Sequence, residues 1–515
     1  MAPDKRRQIG ILALSAIADD PRVRRQGDAF HVAGWDVIAF GLSGSGRSPA
    51  PVWPIVGCDV ATVWDPEFPD EDSVQDPGLS HSPGDEGLTD TPQDESLNDR
   101  ASDEALADLS SATVAQSGRL RSTLKHVLPL PVRDVLRPYS TWASLRAEMR
   151  IALQKCVRLL PNGPAQFARR CLRAVSRVRS SVIHTVHRVR HVWRLLLIRV
   201  FPRFADEVFW TLNGALVDLY RAASRHRPAI WLANDWTTLP VAQRLAEEQG
   251  VPFGYDTHEL ATSEYGHRAK WRILYQPLIL ALERHGIAHA SVVSCVSDGI
   301  AGHLQRLYRM KQRPMVIRNM PHYELYAFRP TQSSIRVLYH GIVAPGRGLE
   351  ACISSVPQWA EGRSLSIRGP AQDAYRAELE ALIAEEGVGD RVTLLPPVPM
   401  IDLIREATAF DVGIFMFPSA NRHNLYVLPN KIFEYVMAGL AVCVSDLPEM
   451  AAVVHGHDLG VLVKEMQPEK IAVAINSMDR EHVDHFKRNA VKAAAELNWE
   501  AESPQLIAAY DRALR

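Results

Sequence analysis

Asn424-Leu425-Tyr426-Val427-Leu428-Pro429-Asn430-Lys431-Ile432-Phe433-Glu434-Tyr435-Val436-Met437-Ala438-Gly439-Leu440-Ala441-Val442-Cys443-Val444-Ser445-Asp446 is the stretch on which the fold turns. It reads as loop, short helix, then strand. Pro429 suits the first helical position, where a missing N–H costs nothing. Gly439 suits the residue just past the helix end, where a left-handed conformation is common. The apolar run from Ala441 reads as a buried parallel strand. Lys431 and Glu434 are three apart and share a helix face, while Phe433, Val436, Met437 and Leu440 can face a core. A helix N-terminus offers unpaired amides to anionic oxygens. Lys431 adds a cation there and Glu434 an acceptor for hydroxyls, a set that suits a phosphorylated sugar. The plainer reading, a surface helix with an incidental ion pair, stays open at this point.

Working outward, the stretch closes an α/β series with expected strands at 336–339, 364–368, 392–395, 411–417 and 441–445, helices between them, and a further helix from 469 to 478. An earlier α/β series has expected strands near 7–17, 35–42, 229–234, 252–256, 291–296 and 315–318. Its first helix starts at Pro21, runs to about Val32 and is ended by Gly34. Residues 321–334 lack a period and read as a linker. Strand–helix–strand units imply parallel sheets. Two such domains in tandem create a cleft at the carboxyl ends of their strands.

The first series is interrupted. From Asp65 to Asp108 there are fifteen acidic residues against Arg100 alone, in a stretch rich in Pro, Ser and Gly; disorder is the expectation. From Arg119 to Arg203 nineteen Arg or Lys stand against Asp134 and Glu148. There Val182, Val186, Val189, Val192, Trp193, Leu196, Leu197 and Val200 recur at helical spacing among arginines. A basic amphipathic helix can lie on an anionic bilayer; packing on the protein, or on the acidic neighbour, is the alternative.

Whole-chain properties narrow the classes. The formal net charge of -1 gives no general attraction to nucleic acid, and none is expected as a partner. The six cysteines have no C-x-x-C spacing, so neither a zinc site nor a disulfide framework is indicated, and a reducing cytosol fits. The apolar run near residue 9 reads as a strand, not a signal peptide. No run of about 18 apolar residues suggests a membrane span. There is no G-x-G-x-x-G, no G-x-x-x-x-G-K-[ST] and no G-x-S-x-G. Nicotinamide, P-loop and hydrolase-elbow chemistries are therefore unsupported. Acid pairs such as Asp19-Asp20 are a weak basis for a metal, and none is expected.

Polar clusters follow the expected strands: Asn234-Asp235-Trp236, then Asp256-Thr257-His258-Glu259, then Gly341 and Gly346-Arg347-Gly348. Glycines there let backbone approach a phosphate that Arg347 can neutralise. His258 can polarise a sugar hydroxyl or take a proton; a structural histidine near a turn is the alternative.

Residues 428–440, Leu-Pro-Asn-Lys-Ile-Phe-Glu-Tyr-Val-Met-Ala-Gly-Leu, resemble the donor-binding segment of glycosyltransferase family 4, the group 1 glycosyltransferases of GT-B fold, in a bacterial branch with a Pro-Asn-Lys motif. Other pieces agree in order: 17–30, 232–236, 255–260, 316–321 and 338–350. The likeness covers about 7–60 and 206–480. It implies an α/β GT-B fold, two Rossmann-like domains facing across a cleft with a large insertion in the first. The expected domains are 1–60 with 206–330, an acidic insertion 61–118, a basic helical insertion 119–205, a nucleotide-sugar domain 331–490, and a helical tail 491–515.

The resemblance implies a retaining glycosyltransferase that takes a nucleotide-sugar donor and a glycan or lipid-linked acceptor, with no cofactor or metal. It implies catalytic roles for His258, Arg347, Lys431 and Glu434, the last on the donor ribose. Gly341, Gly346, Tyr426, Leu428 and Asn430 complete the donor set. Asp20, Arg22, Asp235 and Asp256 form the acceptor side. Two departures stand out: the first of the family's two acids is replaced by Tyr426, and the arginine that often follows Gly341 is Ile342. Diphosphate binding then leans on Lys431 or Arg422. Assembly of a surface polysaccharide or glycolipid at the cytoplasmic membrane face is the expectation, with 119–203 on the bilayer. A GT-B epimerase, or a non-catalytic scaffold acting through 65–205, is the alternative.

Overall fold

The structure, a computed structural model, describes residues 7–43, 49–58, 189–419 and 422–515. The first sheet begins with β1 (Gln8–Leu12), β2 (Asp36–Leu42) and β3 (Ile55–Cys58) and continues with β4 (Ile230–Asn234), β5 (Phe253–Thr257), β6 (Val292–Cys295) and β7 (Met315–Val316). All neighbours pair in parallel, in the order β3-β2-β1-β4-β5-β6-β7. The second sheet holds β8 (Ile335–His340), β9 (Arg363–Arg368), β10 (Val392–Leu395), β11 (Val412–Phe415), β12 (Ala441–Ser445) and β13 (Gly460–Val463). It is also parallel, ordered β10-β9-β8-β11-β12-β13. Strands β4 and β12 are buried at every residue, as continuous apolar runs with both faces covered require. In each sheet the order reverses beside the first strand, β1 or β8. The crevice for a ligand opens at such a switch point, beyond the carboxyl ends of the strands.

Six helices matter for the site. Helix α1 (Pro21–Val32) starts as the sequence suggests: the Asp20 carboxylate accepts from the amides of Arg22 and Val23, and Pro21 follows. Helix α2 (Asp235–Gln249) follows β4, and α3 (Asp298–Tyr308) follows β6. Helix α4 (Asn430–Met437) carries Lys431 and Glu434 and is followed by α5 (Pro448–His457). Pro429 is the cap of α4 and not its first residue, with extended backbone at φ -72, ψ 144. Gly439 takes the expected left-handed form at φ 71.

Helix α6 (Trp499–Ala513) lies within the expected helical tail and packs on the first sheet's domain. Trp499, Leu506 and Tyr510 sit in one core with Ile9, Phe30 and Val37 of the first sheet. The Trp499 indole donates to the Arg25 carbonyl at 3.0 Å, and Tyr510 packs edge-on against Phe30. An apolar stripe at helical spacing needs a partner surface, and here that surface is the chain's first helix. Strands β3 and β13 were not expected; both are four-residue edge strands, too short to stand out, and are mostly of intermediate burial.

The chain divides into two compact units, Met1–His81 with Asn213–Arg515, and Ser82–Leu212. The acidic insertion and the basic segment up to residue 188 lie outside the described residues. Residues 189–200 are helical. Val189, Trp193 and Val200 on that helix are exposed, while Leu195 and Ile198 are buried. Among the described residues no helix is long and apolar enough to cross a membrane. Cys295, Cys352 and Cys443 are buried free thiols.

Candidate active site at the strand ends

The second sheet brings its cations together. After β8 the chain turns through Gly341 at φ 118, a conformation that disfavours side chains. A Cβ at this glycine would stand 2.5 Å from Lys431 Cε, so the loop and the start of α4 approach as closely as they can. Gly346 and Gly348 also have positive φ and bracket Arg347. The Arg347 guanidinium lies over the Phe417 ring at 5.6 Å, and Lys431 Nζ lies over Phe415 at 5.2 Å and Tyr339 at 5.7 Å. Burial, with the like charge of Arg347, lowers the Lys431 ammonium to about 8. Lys431 is the second residue of α4, where the helix dipole is itself positive. Two cations and a helix N-terminus thus face one another, an arrangement that a phosphate anion relieves.

Glu434 sits one turn further along α4. His340 Nε2, fully buried, lies 2.9 Å from Glu434 Oε2. Burial pushes the Glu434 carboxyl up, but His340, Lys431 and Arg25 outweigh it and hold the group below its usual range. Of the other expected donor residues, Asn430 opens α4 and Leu428 is buried beneath it. The side chain of Arg422 lies outside the described residues. Ile342 is exposed, and its carbonyl accepts from the Tyr339 hydroxyl.

Tyr426 faces the first sheet's domain. Its carbonyl accepts from Ser297 Oγ at 2.8 Å, and it packs with Leu260, Ile300 and Leu304. Gly299 leaves the space its ring occupies. Beside it, Glu449 on α5 accepts from the amides of Gly299 at 2.6 Å and Asp298 at 3.2 Å, capping α3 from the other domain. His423 Nε2 lies 3.2 Å from Glu259 Oε2. None of these three contacts was expected, because each joins residues remote in sequence.

Across the cleft, the first sheet divides its expected acceptor residues into two layers. Arg22 and Asp256 form a bidentate pair, Nε–Oδ2 at 2.6 Å and Nη2–Oδ1 at 2.7 Å, and are 2% and 0% exposed. Asp256 also accepts from Gln26 at 2.8 Å and Ser294 at 2.5 Å, and Arg22 Nη1 donates to the Ile317 carbonyl. Their hydrogen bonds are spent inside the domain, so this pair joins strand ends to α1 and does not line the cleft wall. Asp20 likewise is engaged as the α1 cap and by Ser15 Oγ at 2.8 Å.

His258 and Asp235 form the nearer layer. The His258 ring has Nδ1 3.4 Å from Asp235 Oδ2 and Nε2 3.1 Å from Asn234 Oδ1 and 3.4 Å from Asp256 Oδ2. The His258 amide donates to Asp235 Oδ1 at 3.2 Å. Burial opposes the imidazolium, but Asp235 and Asp256 raise it to about 9. That shift favours the protonated ring near neutral pH. Burial in turn raises the Asp235 carboxyl. Asp235 has φ 62, which for a non-glycine residue is strained.

Residues 334–479 match the family described as Glycosyl transferases group 1, and residues 191–320 match Glycosyltransferase Family 4. The chain is 23% identical over 322 residues to the D-inositol 3-phosphate glycosyltransferase of Mycobacterium marinum, covering 57% of this chain and 66% of the relative. It is 24% identical over 306 residues to the protein of that name from Segniliparus rotundus, covering 54% and 65%. The chain thus spans just under two thirds of the length of these relatives. Among solved structures, sucrose-phosphate synthase from Thermosynechococcus elongatus superposes with a TM-score of 0.56 at 16% identity, over 98% of both chains.

Proposed function

We propose that this chain, a member of the superfamily of group 1 and family 4 glycosyltransferases with the GT-B fold, transfers a sugar with retention from a nucleotide-sugar donor to a glycan or lipid-linked acceptor. The observation that carries the reading is the meeting of Arg347, Lys431 and the α4 N-terminus around one point at the switch of the second sheet. Those groups stabilise the charge that develops on the departing diphosphate, without reorganisation at the moment of reaction. Glu434, kept ionised, accepts hydrogen bonds from the donor ribose. His258, held as an imidazolium between two carboxylates, donates towards the transferred sugar and is not a base. Asp235 faces the incoming acceptor hydroxyl.

We place the chain in the branch with the Pro429-Asn430-Lys431 motif, working at the inner membrane face in surface polysaccharide or glycolipid assembly. Exposed Val189, Trp193 and Val200, with the positive charge of 119–203, support contact with anionic lipid. A thermal-shift screen of nucleotide sugars tests the donor, since a bound ligand raises the melting temperature. The matching donor is then followed for transfer and hydrolysis in wild type and Glu434→Ala. Unchanged donor binding in that variant overturns the site. Salt-insensitive co-sedimentation of the full chain with anionic vesicles, or none, overturns the membrane contact.

A further inference from the structure

His340 ends β8 at the point where the chain turns into the glycine loop. It is fully buried, and its Nε2 stands 2.9 Å from Glu434 Oε2. Its ring stacks on Tyr435, with centroids 4.6 Å apart and planes 30° apart. Its amide donates to the Tyr435 hydroxyl at 3.3 Å, which in turn donates to the Ile414 carbonyl at 3.1 Å. Gly413 supplies the room: a Cβ there would collide with the Tyr435 ring. The imidazole is thus gripped by the sheet on one side and α4 on the other, and its one polar neighbour of opposite character is the Glu434 carboxylate. Nδ1 has no partner, and Nε2 approaches Glu434 Oε2 at ion-pair distance without meeting the angular geometry of a hydrogen bond.

An ordinary core position does not favour such a ring. A buried nitrogen without a partner is destabilising, and an apolar side chain of similar volume removes the defect. The feature a Phe or Leu cannot reproduce is a polar nitrogen 2.9 Å from the Glu434 carboxylate. A carboxylate accepts only, so Nε2 carries the proton in this contact. We propose that His340 is a positioning residue for the donor site: it fixes the Glu434 carboxylate, as a hydrogen-bond acceptor, in the orientation that receives the ribose hydroxyls. This rests on the reading of Glu434 given above. It extends the site by one buried layer: Gly413 admits Tyr435, Tyr435 supports His340, and His340 orients Glu434. The shift of Glu434 below its usual range fits the same arrangement.

The test uses the full chain and six probes: UDP, GDP, ADP and their 2′,3′-dideoxy counterparts, each titrated by calorimetry. Wild type is expected to bind one ribonucleotide at least ten times more tightly than its dideoxy form, on the order of one charge-assisted hydrogen bond. In His340→Phe, which keeps the stack and removes the donor, that ribonucleotide should bind about 10- to 100-fold more weakly, with the dideoxy form unchanged. His340→Gln, which restores a donor, should recover most of the discrimination. Combining His340→Phe with Glu434→Ala should add little to either alone. Wild-type discrimination persisting in His340→Phe overturns the proposal. If that variant does not fold, His340→Gln against His340→Leu decides: equal discrimination overturns it, and discrimination only with Gln supports it. Failure of the underlying reading looks different, because wild type itself would then bind ribo and dideoxy forms equally, or bind none of the six.

Discussion

Replacing Asp256 by Ala tests the buried framework behind the site. In the wild type this carboxylate accepts from Arg22 twice, from Gln26 and from Ser294, all within 2.8 Å. The variant leaves the Arg22 guanidinium enclosed at 2% exposure with the Ile317 carbonyl as its remaining partner. Breaking a buried pair from one side destabilises by about 3–5 kcal/mol. Here the upper end applies, because Gln26 and Ser294 lose their acceptor as well. The melting temperature should fall by about 10–20 °C, taking about 2–4 °C per kcal/mol for a domain of this size. The sign with pH follows from the carboxyl, which Arg22 holds well below its usual range against the effect of burial. Such a group contributes stability that is present above the unfolded value near 3.9 and lost as pH falls towards the folded one. Wild type should therefore lose stability below about pH 4, and Asp256→Ala should lack that part of the acid slope. Scanning calorimetry from pH 3 to 8 measures both. A further arm replaces the pair by Arg22→Met with Asp256→Leu, which should regain most of the loss because neither charge is left unpaired. A single variant within about 1 kcal/mol of wild type, or a double variant worse than the single, refutes the reasoning.

Three further outcomes follow. His258, raised to about 9 by Asp235 and Asp256, contributes stability present below its unfolded value near 6.5 and lost as pH rises to about 9; calorimetry of His258→Gln should show that slope flattened. Lys431 titrates near 8 without an anion, so nucleoside diphosphate affinity should weaken by up to about tenfold per pH unit above that point, and Lys431→Met should show weak binding with no such dependence. Gly341→Ala forces a side chain into φ 118 against Lys431; a loss of about 1–3 kcal/mol in stability and weaker donor binding are expected by thermal shift and titration.

Much of the architecture could be read from local pattern. Strand β12 matches its expected limits because Ala441 to Ser445 is a continuous apolar run bounded by Gly439 and Asp446. Helix α1 was legible from Asp20-Pro21 at its start and Gly34 at its end. The roles expected of Lys431 and Arg347 came from the family resemblance; in the structure the charge of Arg347 acts on Lys431. What escaped was set by tertiary contact. Nothing local to Trp499 says that its indole reaches the Arg25 carbonyl. The family resemblance implied that Arg22 and Asp256 lie on the acceptor side of the cleft, yet their mutual pairing turns them inward. His340 carried one signal, a polar residue closing a strand just before a glycine, and its meaning appears only when α4 is laid beside it.

The two departures from the family pattern, Tyr426 and Ile342, acquire a common physical sense from their surroundings. Tyr426 stands where an acid is frequent, close to a site already holding an ionised Glu434. Its ring and carbonyl are instead used to hold α3, beside Glu449, which caps the same helix. Ile342 removes a cation from the glycine loop, where Arg347 already depresses Lys431. Removing one acid and one cation leaves the local charge balance unchanged while easing crowding among like charges. The remaining compensation crosses between the sheets: Arg25 on α1, held by Asn319 Oδ1 at 2.6 Å, acts on Glu434 from the opposite domain.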